Sequence, residues 1–143
     1  MYRGEYSHTI DAKGRMMVPA KLKEALGDSF VVTKGLDECL MAYDTEEWQR
    51  FEEKLQGLPV TNKNARKLVR HFSGGAADVN CDGQGRILIP SNLREYASIT
   101  KEVVLLGMGN RVEIWSKEKY NEFGTYEDMD EVAGALEDMG LMI

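Results

Sequence analysis

Histidine, cysteine and proline are scarce, with two, two and three among 143 residues. His8 and His71 lie far apart and have no spaced partners, so they assemble neither a catalytic triad nor a metal-ligand set. His8 reads as a strand residue and His71 as a helix end beside the negative pole of the dipole. Cys39 and Cys81 form no metal motif, disulfide framework or nucleophile–base pair, and read as reduced thiols of a cytosolic protein. Gly74 and Gly75 are not followed by Lys-Ser or Lys-Thr, which excludes a phosphate-binding loop. No segment approaches eighteen apolar residues, so no membrane-spanning helix is expected. Tyr2-Arg3-Gly4-Glu5 leads into alternating residues without an apolar centre, and no signal peptide is expected there. These absences argue against an enzyme. They also leave no cofactor, metal or small-molecule substrate to expect.

The composition, 43% apolar and 29% charged, is that of a folded chain. A net charge of -6 argues against a nucleic-acid partner until it is divided along the chain. Residues 1–23 hold five cations against two acids, a net +3, and residues 62–94 hold six against two, a net +4. Residues 122–143 carry seven acids and no Lys or Arg. A partner responds to the local field rather than to the total.

The chain says one phrase twice. Asp11-Ala12-Lys13-Gly14-Arg15-Met16-Met17-Val18-Pro19 returns, 71 positions on, as Asp82-Gly83-Gln84-Gly85-Arg86-Ile87-Leu88-Ile89-Pro90. The stretch Tyr43 to Phe51 matches Trp115 to Phe123 at a displacement of 72. A doubled small unit follows. The first repeat spans residues 5–55 and the second 76–124, joined by a basic helical connector, 56–75, and followed by an acidic tail, 125–143.

Within the first unit, strands are expected over 5–10, 15–18, 29–34 and 39–43, with helices over 20–26 and, capped by Thr45, 45–55. Asp11 can bond the backbone two residues on and Gly14 can take a positive φ, which makes 11–14 a tight turn. Pro19 and Pro90 stop the strands that follow the two turns and open short helices. The second unit predicts strands 76–81, 86–89, 103–106 and 111–115, a turn at 107–110, and helices 91–96 and 116–123. Met129, Val132, Leu136 and Met139 mark a weak amphipathic helix in the tail. The fold class expected is α+β, mainly β with short helices. One such unit leaves strand edges unpaired, so two units interleaved about a pseudo-two-fold axis are expected to close one barrel. That barrel would bury Val18, Val31, Val32, Met41, Ile87, Ile89, Val104 and Ile114 together.

Asp11, Gly14, Asp82 and Gly85 are thus turn formers. Arg15 and Arg86 project from the rigid bases of those turns at matched places. Each has two readings of equal weight. It pairs with its own turn aspartate, or it makes bidentate contacts to guanine or phosphate. Lys13 in the first turn is Gln84 in the second, so the halves differ in charge, although Gln can still read an adenine edge. Arg3 and Lys13, with the basic connector, are candidates for phosphate contacts. The rival reading is a non-catalytic structural or protein-interaction module using Trp48, Phe51, Tyr120 and Phe123, residues whose spacing fits a core better.

On these doubled Asp-x-x-Gly-Arg segments, each with Pro four residues after its Arg, the sequence resembles the MraZ family of bacterial proteins. The likeness runs from Met1 through the second repeat, and each half resembles the AbrB-type swapped-hairpin DNA-binding element. The resemblance implies a transcriptional regulator that binds short direct repeats upstream of the division and cell-wall gene cluster, its own promoter included. It implies nucleoid association and assembly of several subunits into a ring. It places the DNA-contacting parts at 11–15 and 82–86.

Overall fold

The computed structural model describes residues 1–124 and 128–141. The first repeat supplies β1 (Tyr2–Thr9), β2 (Arg15–Met17), α1 (Ala20–Leu26), β3 (Ser29–Lys34), β4 (Leu40–Tyr43) and α2 (Thr45–Gln56), and the connector supplies α3 (Lys63–Phe72). The second supplies β5 (Ala77–Asn80), β6 (Arg86–Leu88), α4 (Ser91–Tyr96), β7 (Glu102–Gly109), β8 (Val112–Ser116) and α5 (Lys117–Gly124). The tail forms α6 (Met129–Ala135) and a 3-10 turn, Glu137–Met139; residues 125–127 and 142–143 of the expected acidic tail lie outside the described residues.

Local chemistry sets the helix starts. Asp44, rather than Thr45, caps α2, its carboxylate accepting from the Glu47 N–H at 2.9 Å. Asn62 caps α3 through the Ala65 N–H at 3.0 Å. Pro19 and Pro90 stand immediately before α1 and α4.

The strands form a six-stranded antiparallel sheet, ordered β1-β7-β8-β4-β3-β5, and a separate two-stranded ribbon, β2-β6. Exchanging each strand for its counterpart in the other repeat reverses that order and leaves it unchanged. The first strand of each repeat therefore pairs with the third strand of the other: Tyr2–Thr9 against Glu102–Gly109, and Ala77–Asn80 against Ser29–Val32. Beside the swapped ladder, Gly4 stands opposite Gly107, where a methyl group at 107 would fall on the Arg3 backbone. Gly107 is a point of close approach inside a strand, and β7 runs through the expected turn to Gly109.

The expectation of a closed barrel is corrected by this order. β1 and β5 end the sheet at opposite edges and share no ladder, so the sheet is open. The reason lies in strands that are apolar on both faces. In β3, Phe30 and Val32 join one core with Val18, Ile87, Ile89 and Ile114. Val31 turns to the other face with Met41, Tyr43, Trp48, Leu55 and Phe72, while Val104 joins Cys39 and Trp115. The eight residues expected in one barrel interior are divided between two faces. A sheet buried on both sides needs covering layers rather than closure. The ribbon with α1 and α4 covers one face, and α2, α3 and α5 cover the other. The mixed α+β composition holds.

Trp48 is buried and Phe51 half-buried beside Tyr43 and Phe72, so these aromatics are mainly core. Tyr120 is half-buried and donates to Glu5 at 2.7 Å, whereas Phe123 is 50% exposed. His71 meets the Gly35 carbonyl at 2.8 Å.

Candidate nucleic-acid interface

The two turns are built alike, bond for bond. In the first, Asp11 Oδ1 accepts from the Lys13 and Arg15 N–H groups, both at 2.9 Å, and Oδ2 accepts from Arg15 Nε at 2.9 Å. In the second, Asp82 Oδ1 accepts from the Gln84 and Arg86 N–H groups and Oδ2 from Arg86 Nε, again at 2.9 Å. Gly14 and Gly85 close the turns onto the carbonyls of Asp11 and Asp82 at 3.0 Å, with φ of 89° and 79°, a region that a β-carbon strains.

Each carboxylate thus does two jobs: it ties the turn and fixes one edge of a guanidinium. The pairing of each arginine with its own aspartate is present in both copies. It uses only Nε, and the terminal amines make no hydrogen bond among the described residues. A planar fork anchored at its base and open at its tip is a pre-organised donor for a bidentate acceptor.

The ribbon brings the two arginines together. Arg15 stands opposite Leu88 and Arg86 opposite Met17, while Met16 faces Ile87 between them. Alternation sends Met16 and Ile87 inward, each 1% exposed, and turns Arg15, Met17, Arg86 and Leu88 to the outer face. Each turn is tied to the opposite strand's end, Val18 N–H to the Gly85 carbonyl at 3.2 Å and Ile89 N–H to the Gly14 carbonyl at 2.9 Å. Lys13 and Gln84 occupy the two exposed tips.

Sequence reasoning counted Lys23 and Arg94 within the basic stretches 1–23 and 62–94 but did not single them out as a second pair. Arg94 of α4 lies over the first turn, where a methyl group added at Gly14 would meet its Nε at 2.7 Å, and it donates to the Ile89 carbonyl at 2.9 Å. Lys23 of α1 lies over the second turn, its Nζ 3.8 Å from the corresponding position at Gly85. The two cations are 71 residues apart, as the arginines are, and each sits over the other repeat's turn. The common displacement was the signal. Arg3 is placed elsewhere, near the start of β1, roughly 20 Å of strand from Thr9 at about 3.3 Å per residue. The basic helix α3 packs on the sheet face opposite the ribbon.

Both turn aspartates are held below the ordinary value of 3.8, chiefly by the backbone N–H of Arg15 or Arg86. A carboxyl depressed on folding stabilises the fold fully above its unfolded value and loses that contribution as pH falls through the lower folded value. The melting temperature of the wild type should therefore fall more steeply below about pH 4 than that of Asp11→Asn/Asp82→Asn. Equal slopes in a pH series of thermal melts would remove the turns as the source. Burial pushes the Cys39 thiol up to about 12, so it is not a nucleophile at neutral pH. Among the described residues no group of three or more His, Cys, Asp or Glu is placed to hold a metal ion, and no helix is long and apolar enough to cross a membrane.

Fold and site together define a class: a duplicated, strand-swapped module that presents two equivalent acid–arginine turns on one ribbon. Comparison with known proteins also finds one family twice in the chain. The family model described as MraZ protein matches the chain twice, over residues 1–71 and 72–138. The transcriptional regulator MraZ of Halothermothrix orenii is 50% identical over 143 residues, covering 99% of this chain and 100% of that protein. That of Clostridium beijerinckii is 53% identical over 142 residues, with coverage of 99% and 100%. That of Lachnoclostridium phytofermentans is 53% identical over 141 residues, covering 99% of both. The chain belongs to the MraZ family. Among solved structures, the solution structure of PHS018 from Pyrococcus horikoshii aligns over 80% of this chain and 88% of its own at 14% identity, with a TM-score of 0.33 too low to inform the fold.

Proposed function

We propose that this protein is a non-catalytic, sequence-specific DNA-binding transcriptional regulator that reads duplex DNA with the outer face of the β2-β6 ribbon. The observation that carries the reading is the pair of identical turns, each fixing Nε of an arginine and leaving its terminal amines open on one face. Relatives of near-equal length named transcriptional regulator support it. In this reading Arg15 and Arg86 reach base edges, Lys13 and Gln84 flank them, and Lys23 and Arg94 contact phosphates. Met17 and Leu88 suit apolar contact with thymine methyl groups. Residues 5–55 and 76–124 act as the two reading units, with 56–75 as connector and 125–143 as acidic tail. The targets are short direct repeats upstream of the division and cell-wall gene cluster, including the protein's own promoter. The protein works in the cytoplasm on the nucleoid, as a ring of copies whose linked contacts add affinity when site spacing fits.

The test is an anisotropy titration of the wild type with a duplex carrying the promoter's direct repeats and a scrambled duplex of equal composition. The repeat duplex should be held at least about 1,000-fold more tightly, the lower end for specific regulators. Affinity should fall with salt at a log–log slope of about 0.9 per phosphate neutralised. Equal affinity for both duplexes would end the claim of specificity.

A further inference from the structure

The two repeats stop matching after their second helices. In the first, α3 follows α2 and buries Ala65 and Phe72, the latter in the core beneath α2. In the second, α6 follows α5 in the same order, yet no residue of α6 is buried. Met129, Val132, Leu136 and Met139 are exposed, the first two on α6, Leu136 at its C-cap and Met139 in the 3-10 turn that follows. The same stretch carries Asp128, Asp130, Glu131, Glu137 and Asp138 and no Lys or Arg. Among the described residues both lysines of the preceding helix α5 are paired, Lys119 with Glu38 at 2.8 Å and Lys117 with Glu102 at 4.0 Å.

The complementary surface lies between α2 and α3. A groove of about 210 Å³ is lined by Leu55, Leu58, Val60 and Val69, and its only charged lining residues are Arg66 and Arg70. Helix α3 also carries Lys63 and Lys67 and no acid, and none of the four cations forms an ion pair among the described residues.

We infer that the α2–α3 groove receives the acidic C-terminal segment, 128–141, of a second copy of this chain. Val132 and Leu136 enter the groove, and the flanking carboxylates meet Arg66 and Arg70. Groove and segment are different patches, so the contact is head-to-tail and passes from copy to copy until it closes. The inference deepens the reading of the protein as an assembly and rests on it, but it does not depend on DNA. It also assigns the basic connector to self-association rather than to the duplex, in keeping with its place across the sheet from the ribbon.

Sedimentation of full-length variants tests it. Arg66→Glu/Arg70→Glu disables the groove and Val132→Asp/Leu136→Asp disables the segment, all at exposed positions. Each variant alone should drop from the wild-type mass to that of one chain while keeping a single cooperative melt. An equimolar mixture retains one good groove and one good segment, and should form pairs and nothing larger. Adding Asp130→Lys/Glu131→Lys to the groove variant should restore the wild-type mass by exchanging the charges. Either variant keeping the wild-type mass, or a mixture that stays single, overturns the interface; the second result would place the segment in its own chain's groove. A groove variant that still assembles but loses duplex affinity would make α3 a phosphate-binding face instead. If the wild type itself sediments as one chain, the assembly reading falls with the interface; if it assembles and the variants do too, only the interface falls.

Discussion

Arg15→Ala/Arg86→Ala is expected to lose about 30-fold to 10,000-fold or more in affinity for the repeat duplex while folding and assembling as the wild type does. Each bidentate arginine contact to a base is worth about 1–3 kcal/mol of discrimination, and the two sit on separate turns with their own anchors, so their losses approach additivity. The cost to the fold is small, because each deleted guanidinium makes a single bond to a partly exposed aspartate whose other oxygen still ties the turn. The salt series separates roles. Removing base contacts lowers affinity for the repeat duplex more than for the scrambled one and leaves the slope nearly as it was. Lys23→Ala/Arg94→Ala weakens both duplexes alike and reduces the slope by about 0.9 for each phosphate no longer neutralised. Undiminished binding by the arginine variant would remove Arg15 and Arg86 from the interface.

Ile87→Ala should cost about 2–5 kcal/mol of folding stability in denaturant melts, the range for truncating a large aliphatic side chain in a packed core. Ile87 is 1% exposed, faces Met16 across the ribbon and belongs to the core that takes residues from both repeats. Cutting it opens a void where the two halves meet, with little room for either strand to move in. Leu88→Ala, one residue along, is the control. That side chain is 55% exposed on the outer face, and its loss should stay within about 0.5 kcal/mol. Equal effects at 87 and 88 would mean that the ribbon does not pack as described.

Much of the local structure is legible in the sequence because it is written in short-range chemistry. Ala20–Leu26, Ser29–Lys34 and Ser91–Tyr96 have the expected bounds, and proline or glycine at or near their ends forces the change of backbone. The turns are legible too, since Asp11 and Gly14 bond within their own five residues to close them. What is not legible depends on distant partners. Gly107 reads as a turn residue and is a strand residue, because its meaning lies in the backbone of Arg3 across the sheet. A barrel is the natural expectation when Val31, Val32, Met41 and Val104 are assigned to one interior, whereas consecutive residues of a strand face opposite ways and helices cover both. Lys23 and Arg94 are only two among the cations of their basic stretches until the fold lays each over the other repeat's glycine.

The backbone of the reading face is nearly symmetric, but its side chains are not: Lys13 at one tip answers Gln84 at the other. A regulator with two equal arms matches a palindrome and cannot tell one direction along the double helix from the other. If the ribbon reads DNA as proposed, unequal arms would give the bound molecule a heading. Turned end for end on the duplex, it would set a charged amine where an amide belongs, so copies bound in a row would all point the same way.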